Sequence, residues 1–298
     1  MRIEAGIGRS FKLDNNFASW KPAARLEFAQ EGWDMSIRAF AFAALAAAVS
    51  FGFTGAVLAE TLTVGAYPAN PPWENKKEDG SFEGFEVDLV NEIAKRIGAD
   101  VEFQDLGFQA LFAATSSGRV DMAISSITIT DERLQNQAFT QGYYDSDMAL
   151  ATAKDSEVKS LADMKGKPVG VLSTSTGEMW VQENMEKYGF AEMKGYNAQQ
   201  DLLLDTQAGR VAGAISDIAG LQFAFMQMPT MHVVERIKTT DRYGIMMGKD
   251  SPNLERVNDA ITAMKEDGTL AAMHKKWLGA DADPATSTVT VMEIPKAQ

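Results

Sequence analysis

An eighteen-residue segment of this chain occurs twice, and the second copy lies 91 residues after the first. Residues 109–126 read QALFAATSSGRVDMAISS and residues 200–217 read QDLLLDTQAGRVAGAISD, with nine identical positions and no gap. Each copy predicts a helix, a glycine that ends it and a short apolar strand. Units of this kind share some residues by chance, but the identities here include GRV and AIS. We therefore expect two equivalent lobes.

Polar residues follow both of the predicted strands. Ser125, Ser126 and Thr128 follow the first strand, and Arg133 comes just inside the next helix. Asp217 ends the second strand. Open α/β sheets bind ligands at the carboxyl ends of their strands, so two facing lobes would line one cleft from both sides. A cation on one wall and an anion on the other suit a zwitterionic ligand.

Strand and helix patterns alternate along the chain. Apolar periodicity predicts strands at residues 62–66, 101–104 and 120–124, and helices at residues 88–97 and 108–117. This βαβαβ order predicts a mainly parallel, doubly wound sheet. A second series contains the second copy of the repeat, and two helices follow it. Three prolines in the loop after the first strand should exclude regular structure from that loop.

Residues 35–59 have the pattern of a cleaved secretory signal peptide. Arg38 supplies the positive charge, residues 39–57 form the apolar core, and the small-residue cleavage site VLA ends at Ala59. We expect cleavage after Ala59 and export to the periplasm. An uncleaved transmembrane anchor is the alternative, which two glycines within the core disfavour.

The position of this signal bears on where translation starts. A signal peptide lies near the N-terminus of its protein, so we expect Met35 to be the first residue. Residues 1–34 would then be a non-native upstream extension or a disordered segment. A genuine long region before the apolar core is the alternative.

The composition limits the classes of partner that the exported chain could bind. The full sequence has a net charge of −13 and no cysteine. Residues 1–59 carry six Lys or Arg and five Asp or Glu, so the exported chain would have a net charge of −14. Such an acidic protein is a poor candidate for binding nucleic acid or anionic lipid. The two histidines, His232 and His274, lack metal-ligand spacing, so we expect no metal and no cofactor.

Five segments carry a resemblance to a known family, and together they span residues 60–279. They read NPPWENKKEDGSFEGFEVDLVNEIAKRIG, GRVDMAISSITITDERLQNQAFTQGYY, KGKPVGVLSTSTGE, AGRVAGAISD and KEDGTLAAMHKKWLG. In this order they resemble the periplasmic amino-acid-binding proteins of ABC importers, solute-binding protein family 3. The resemblance implies an α/β, two-lobed periplasmic-binding-protein fold of type II. Each lobe would be a doubly wound, mainly parallel sheet, and two hinge strands would join the lobes.

The same resemblance implies where the lobes begin and end. Lobe 1 would contain residues 60–147 and 241–279, and lobe 2 would contain residues 148–240. Residues 280–298 would be a C-terminal tail, either partly mobile or packed on a lobe surface. Closure of the lobes about the hinge would trap one ligand.

Matching the family motif residue by residue implies how an amino acid is bound. Arg133 matches the arginine that binds the α-carboxylate, with Thr128 and Thr176 as further donors. Asp217 matches the acid that receives the α-ammonium, helped by the pair Ser125–Ser126. Helix capping is the alternative role for Asp217 and for both threonines.

Aromatic and loop residues would enclose the ligand side chain. Phe108 matches an aromatic that covers the side chain, with a plain core residue as the alternative. Asn70 and Trp73 match loop positions that wall the pocket. Tyr67 and Gly107 stand where relatives often carry an Asp, and Tyr67 would join the pocket wall. Without those acids a lysine or arginine side chain would lack a partner, so we expect a ligand that is not strongly basic.

The resemblance implies capture without chemistry. We expect a monomeric binding protein, not an enzyme, that delivers a free amino acid to the membrane permease of an ABC importer. One alternative is a periplasmic enzyme of the cyclohexadienyl-dehydratase type, which needs a general acid or base over the ligand. Glu74 and Glu178 are the nearby candidates, and both are interpreted as surface charges. A partner-binding accessory protein with a vestigial cleft is the other alternative, which the pair of Arg133 and Asp217 disfavours.

Overall fold

The computed structural model describes residues 59–297. The predicted signal peptide at residues 35–59 lies outside this range except for Ala59, and residues 1–34 lie outside it entirely. Within the described range, no helix is both long enough and apolar enough to cross a lipid bilayer.

Strands and helices alternate along the described residues, as the sequence predicts. The strands are β1 (Thr61–Ala66), β2 (Ala69–Asn70), β3 (Glu74–Lys76), β4 (Phe82–Glu83), β5 (Asp100–Asp105), β6 (Met122–Ala123), β7 (Gln137–Phe139), β8 (Tyr144–Ala153), β9 (Pro168–Leu172), β10 (Glu192–Tyr196), β11 (Gly213–Asp217), β12 (Met231–Tyr243) and β13 (Met246–Gly248). The helices are α1 (Phe85–Ile97), α2 (Phe108–Ser116), α3 (Asp131–Asn136), α4 (Thr176–Tyr188), α5 (Gln199–Gln207), α6 (Ile218–Phe225), α7 (Leu254–Glu266) and α8 (Thr269–Leu278). A turn of 3-10 helix covers Leu161–Met164.

Most of the strands form two five-stranded sheets with the same plan. The first sheet has the order β5-β1-β6-β13-β7, and the second has the order β10-β9-β11-β8-β12. In each sheet the fourth strand runs antiparallel to both neighbours, and the other four strands run in one direction. The first sheet with α1, α2, α3, α7 and α8 is lobe 1. The second sheet with α4, α5 and α6 is lobe 2.

The internal repeat occupies the same place in both lobes. The first copy forms α2 and β6, the second forms α5 and β11, and each strand is the middle strand of its sheet. A glycine with left-handed backbone geometry follows each helix: Gly118 has φ 70° and Gly209 has φ 72°. Glycine is favoured there because a Cβ would be strained in that conformation. The carboxyl ends of β6 and β11 therefore belong to equivalent units.

Apolar side chains cover both faces of each sheet. In lobe 1, helices α1, α7 and α8 cover one face and α2 covers the other. In lobe 2, α4 covers one face, and α5 and α6 cover the other. Met122 and Ala123 of β6 lie in different clusters because neighbouring strand residues point to opposite faces. With both faces covered, the strand ends are the part of each sheet that remains open to a ligand.

Two long strands connect the lobes. β8 and β12 pair antiparallel along their length, with Tyr144 opposite Tyr243. The chain leaves lobe 1 after β7 and returns to it at β13. The predicted lobe boundaries near residues 148 and 240 lie inside these two strands.

The loop after β1 contradicts the prediction that its three prolines exclude regular structure. Regular structure does form there, because Ala69 and Asn70 pair with Asn75 and Glu74 as β2 and β3. None of the three prolines occupies a paired position, so no ladder hydrogen bond is lost to a missing N–H. The loop is therefore a small antiparallel sheet, completed by β4.

The described part of the C-terminal tail packs on lobe 1 near the start of β8. Ser287 and Thr288 are both buried. The Thr288 hydroxyl donates to the backbone oxygen of Tyr143 at 3.0 Å. The ammonium of Lys265 on α7 donates to the backbone oxygen of Thr290 at 2.9 Å. Of the two expectations for this segment, the packed tail fits these contacts.

Candidate functional site

A cleft lies between the lobes, where the carboxyl ends of β1, β9 and β11 and the turn after β6 meet. Nine of the ten predicted site residues line it. They are Tyr67, Asn70, Phe108, Ser125, Ser126, Thr128 and Arg133 from lobe 1, with Thr176 and Asp217 from lobe 2. The two copies of the repeat thus contribute to facing walls of one cleft.

Arg133 lies in the first turn of α3, with its guanidinium in the cleft wall. Thr130 caps this helix, and its hydroxyl accepts from the Arg133 backbone N–H at 3.2 Å. Nη1 donates to the Thr128 backbone oxygen at 2.7 Å, and Nη2 donates to the Thr174 backbone oxygen of lobe 2 at 2.9 Å. The guanidinium also lies over the Phe112 ring, 5.0 Å from its centroid. Because these bonds use two of five N–H groups, the others remain for a ligand carboxylate.

The charge of this guanidinium persists despite its burial. Arg133 is 8% exposed, and burial lowers its pKa to about 10, while the Asp217, Asp241 and Glu132 carboxylates act in the opposite direction. The group is therefore cationic at neutral pH. In a site with little water, a bidentate contact between such a cation and a carboxylate is strong.

The N-terminus of α4 contributes to the lobe 2 wall. Ser175 caps this helix, and its hydroxyl accepts from the backbone N–H of Glu178 at 3.2 Å. Thr176 and Gly177 follow in the first turn, and both line the cleft. The first N–H groups of a helix lack intrahelical partners and favour an anion. This helix end is suited to supply further donors to a carboxylate.

Asp217 ends β11 and presents its carboxylate to the cleft. It occupies the N-cap position of α6 but makes no capping hydrogen bond through its side chain. Its Oδ1 atom is buried and has no hydrogen-bond partner among the described residues. Burial raises the pKa of Asp217 to about 7; Asp241 and Glu86 add to this effect, and Tyr243 and Arg133 oppose it. A ligand ammonium would supply the missing partner.

Ser125 and Ser126 form the turn after β6. The Ser125 hydroxyl accepts from the backbone N–H of Tyr67 at 2.9 Å, so it fixes the start of the loop after β1. The Ser126 N–H donates to Glu86 Oε1 at 2.8 Å, and its hydroxyl accepts from Asn70 Nδ2 at 3.1 Å. Ser126 has φ 47°, which non-glycine residues adopt only where neighbours enforce it. The surroundings of this turn therefore hold it in a strained conformation.

Tyr67 and Phe108 form an aromatic wall on lobe 1. Their rings meet edge to face, with centroids 6.4 Å apart. The Tyr67 hydroxyl accepts from the backbone N–H of Gln199 in lobe 2 at 3.0 Å. The Gln199 side chain also lines the cleft and donates to the Ser216 hydroxyl at 3.0 Å.

Gln199 is a cleft residue that is missing from the predicted set. The offset of the repeat could have found it, because Phe108 and Gln199 each lie one residue before a copy of the repeat and 91 residues apart. Both residues begin the repeated helix, α2 in one lobe and α5 in the other. The same position thus supplies an aromatic ring to one wall and an amide to the other.

Two loop residues lie elsewhere than expected. Trp73 does not line the cleft: it is fully buried and packs edge to face on Tyr144 and Tyr243, with centroids 4.6 and 5.3 Å away. The expectation that it walls the pocket is corrected, because the crossing strands enclose it in the core of lobe 1. Glu74 is likewise fully buried and is not a surface charge. Glu178 is half-buried.

The lining of the cleft carries few charges. Of the described residues that line it, Arg133 and Asp217 are the only Arg, Lys, His, Asp or Glu. Gly107 is not part of the lining. Nowhere in residues 59–297 do three or more His, Asp or Glu side chains group as metal ligands. The electrostatics are suited to a zwitterion whose remaining part is uncharged.

The sequence also matches a known protein family over most of the described residues. The family is the bacterial extracellular solute-binding proteins, family 3, and the match covers residues 62–280. The chain belongs to this family. This solute-binding protein is 31% identical over 225 residues to the L-cystine-binding protein TcyJ of Escherichia coli K12, covering 74% of this chain and 84% of TcyJ. It is 33% identical over 233 residues to the lysine/arginine/ornithine-binding periplasmic protein of the same organism, covering 74% and 89%.

A solved structure supports the same assignment for the fold. An ancestral arginine-binding protein bound to glutamine superposes with a TM-score of 0.70 at 33% identity, covering 75% of this chain and 100% of that one. The predicted type II periplasmic-binding-protein fold is confirmed. The relatives named above are binding proteins, in agreement with the expectation that this family member is not an enzyme.

Replacing Asp217 tests whether its carboxylate is buried without a partner. Its folded-state pKa lies above that of the unfolded chain, so its ionisation costs stability as the pH rises from about 4 to about 7. We expect Asp217→Asn to raise the free energy of unfolding of the ligand-free protein by about 2 kcal/mol at pH 8. At pH 4 the gain should be small, since the carboxyl is protonated when folded and partly so when unfolded.

Urea unfolding at the two pH values measures this difference. Asp155→Asn removes an exposed carboxylate and is the matched control, for which no change is expected at either pH. Destabilisation of the ligand-free Asp217→Asn protein at pH 8 would contradict the unpartnered carboxylate.

Proposed function

We propose that this chain is an extracytoplasmic solute-binding protein that captures one free amino acid and delivers it to the membrane permease of an ABC importer. The observation that carries the proposal is the placement of Arg133 and Asp217 on facing walls of one cleft. Arg133 is a buried cation with unused donors, and Asp217 is a half-buried acid with one buried oxygen that lacks a partner. A free amino acid carries the complementary charges on neighbouring atoms.

The carboxylate end of the ligand would bind at Arg133. Its guanidinium is held within lobe 1 by the Thr128 backbone oxygen, so less side-chain entropy is lost when a carboxylate binds. Thr128 and the first turn of α4 at Thr176 would add donors. This role rests on geometry and on the family motif together.

The ammonium end would bind at Asp217, on the lobe 2 wall. One oxygen of this half-buried carboxylate is already removed from water, so an ammonium would gain a strong partner with little further removal of water from that atom. Binding would return the pKa of Asp217 towards its ordinary range. Ser126, on lobe 1, would help to hold the same ammonium.

The two lobes would close around the ligand and open to release it. In the structure they are linked at the cleft by the Tyr67–Gln199 and Arg133–Thr174 hydrogen bonds. Each such bond contributes only about 1–2 kcal/mol, so these bonds alone would hold the lobes together only weakly. Contacts that the ligand makes to both lobes would add to them and favour the closed state. We propose β8 and β12 as the hinge. The lobe boundaries near residues 148 and 240 remain predictions.

The same proposal includes the cellular location and the oligomeric state of the protein. The lysine/arginine/ornithine-binding relative is named as periplasmic, and the signal-like residues 35–59 agree with export. We therefore place the protein in the periplasm as a monomer, with signal cleavage after Ala59. A permease would bind it in its ligand-loaded form.

The ligand side chain would be neutral or only weakly polar. The relatives include proteins named for cystine and for basic amino acids, so family membership does not select a ligand. The lining supports a neutral side chain, because Tyr67 and Phe108 offer aromatic surface and Asp217 would be needed by the α-ammonium. A basic side chain would enter a cleft without a second carboxylate, at a cost in desolvation.

Arg133→Ala should abolish tight amino-acid binding. Removing the guanidinium leaves the α-carboxylate without its main donor, and we expect affinity to fall at least about 100-fold. Isothermal titration calorimetry with the twenty free amino acids measures the loss. Arg119→Ala, an exposed arginine before β6, is the matched control and should bind as the intact protein does. Undiminished binding by Arg133→Ala would exclude the proposed role of this residue.

Changing Tyr67 should change which side chains are accepted. We expect the intact protein to bind neutral amino acids more tightly than arginine or lysine, because no acid faces their side chains. Tyr67→Asp adds such an acid and should raise arginine affinity about tenfold or more relative to Tyr67→Phe. The phenylalanine variant controls for loss of the bond to Gln199. Arginine as the tightest ligand of the intact protein would overturn this ligand class.

A further inference from the structure

Two fully buried glutamates lie behind the residues that line the cleft. Glu74 is on β3 and Glu86 is in the first turn of α1, and both are 0% exposed. The backbone N–H of Glu86 donates to the backbone oxygen of Trp73 at 3.0 Å, which holds the two segments together. Neither glutamate lines the cleft, so neither has a role in the ligand contacts proposed above.

The hydrogen bonds of these carboxyl groups leave one oxygen of each unused. Glu86 Oε1 accepts from the backbone N–H of Ser126 at 2.8 Å and from the Tyr143 hydroxyl. Glu74 Oε1 accepts from Asn70 Nδ2 at 3.2 Å. The Oε2 atom of each glutamate is buried and has no donor among the described residues. The two carboxyl groups are connected through Asn70 and Ser126, and they lie close enough for each to change the pKa of the other.

One proton between the two groups would satisfy both unused oxygens. Two adjacent buried carboxylates do not both stay ionised when no cation faces them. Glu86 accepts from two donors and is the better-stabilised anion, which places the proton on Glu74. Burial raises the pKa of Glu74 well above its usual range, and Glu86 adds to that effect. The other titratable groups facing the pair are Tyr67, Tyr143 and Asp217, and none is a cation.

We propose that Glu74 and Glu86 share one proton and that this acid pair positions Asn70 and Ser126 for the ligand. Asn70 Nδ2 is held by Glu74 and by the Ser126 hydroxyl, and its Oδ1 faces lobe 2, 3.8 Å from the place of a Cβ on Gly220. Glu86 holds the Ser126 N–H and with it the left-handed turn. The positioning role rests on the proposed function, because it needs a ligand in the cleft, whereas the shared proton does not.

Infrared spectroscopy tests the shared proton without any ligand. At pH 7 the carbonyl band of a protonated carboxylic acid distinguishes the intact protein from Glu74→Gln. The amide of this variant donates to Glu86 and accepts from Asn70, so it keeps the contacts and removes the proton. Asp217, with its pKa raised to about 7, contributes to this band in every variant. The band should therefore lose the intensity of one carboxylic acid in Glu74→Gln and keep it in Glu78→Gln, which changes an exposed residue in the next loop. An unchanged band in Glu74→Gln overturns the shared proton.

The same variants test the proton through stability. Folded Glu74 keeps a proton that the unfolded chain loses above about pH 4.3, so the unfolding equilibrium constant of the intact protein should rise as pH increases from 5 to 7. One retained proton corresponds to up to about tenfold per pH unit. Asp217 contributes equally to all the variants, so we expect Glu74→Gln alone to show a smaller rise. A rise equal to that of Glu78→Gln overturns the proposal.

Calorimetry tests the positioning role, using as probe the free amino acid that binds the intact protein most tightly. Glu74→Gln should bind it within about threefold of the intact protein. Glu74→Met removes the contact with Asn70 and leaves Glu86 Oε2 without the donor that the shared proton would supply, and it should bind at least about tenfold more weakly. Thermal melts establish that both variants are folded.

Equal affinity of the two variants overturns the positioning role. If the intact protein binds no free amino acid, the proposed function and the positioning role both fail. The infrared band then still decides the shared proton.

Discussion

A carboxylate with one buried oxygen that lacks a hydrogen-bond partner is the constraint on which the cleft depends. Asp217 Oδ1 is removed from water at the end of β11, and no donor in the described chain replaces that water. Arg133 faces the cleft from the other lobe, with its guanidinium held by backbone oxygens and not by a carboxylate. Each charge lacks a full counterpart, and one small zwitterion would supply both.

The fold makes this arrangement by using one structural unit twice. A helix, a left-handed glycine and a central strand recur in each sheet, so the polar ends of β6 and β11 meet across the cleft. Divergence between the copies creates the chemistry. Phe108 and Gln199 begin equivalent helices, yet one gives an aromatic surface and the other an amide. Two paired strands join the lobes, so in the proposed opening each lobe would keep its own core.

Whether a site residue can be predicted from the sequence depends on whether nearby or distant parts of the chain form its surroundings. Asp217 ends a strand and Arg133 lies at the start of a helix, and hydrophobic patterns reveal both elements. Their placement at the strand ends could therefore be predicted. Trp73 and Glu74 could not, because their environment is set by α1 and the crossing strands, which pack on the loop from distant parts of the sequence. Charged residues are mostly exposed in folded proteins, so a glutamate is predicted to lie on the surface. The buried acid pair becomes visible only in the structure, through the hydrogen bonds that Glu86 accepts.

The most direct test of the zwitterion site is isothermal titration calorimetry with a ligand altered at each end. The titrations compare the free amino acid that binds most tightly with its C-terminal amide and with its N-acetyl form. Because Arg133 would bind the carboxylate and Asp217 the ammonium, each alteration should weaken binding at least about 100-fold. Binding of either altered compound within about threefold of the free amino acid would contradict the proposed site.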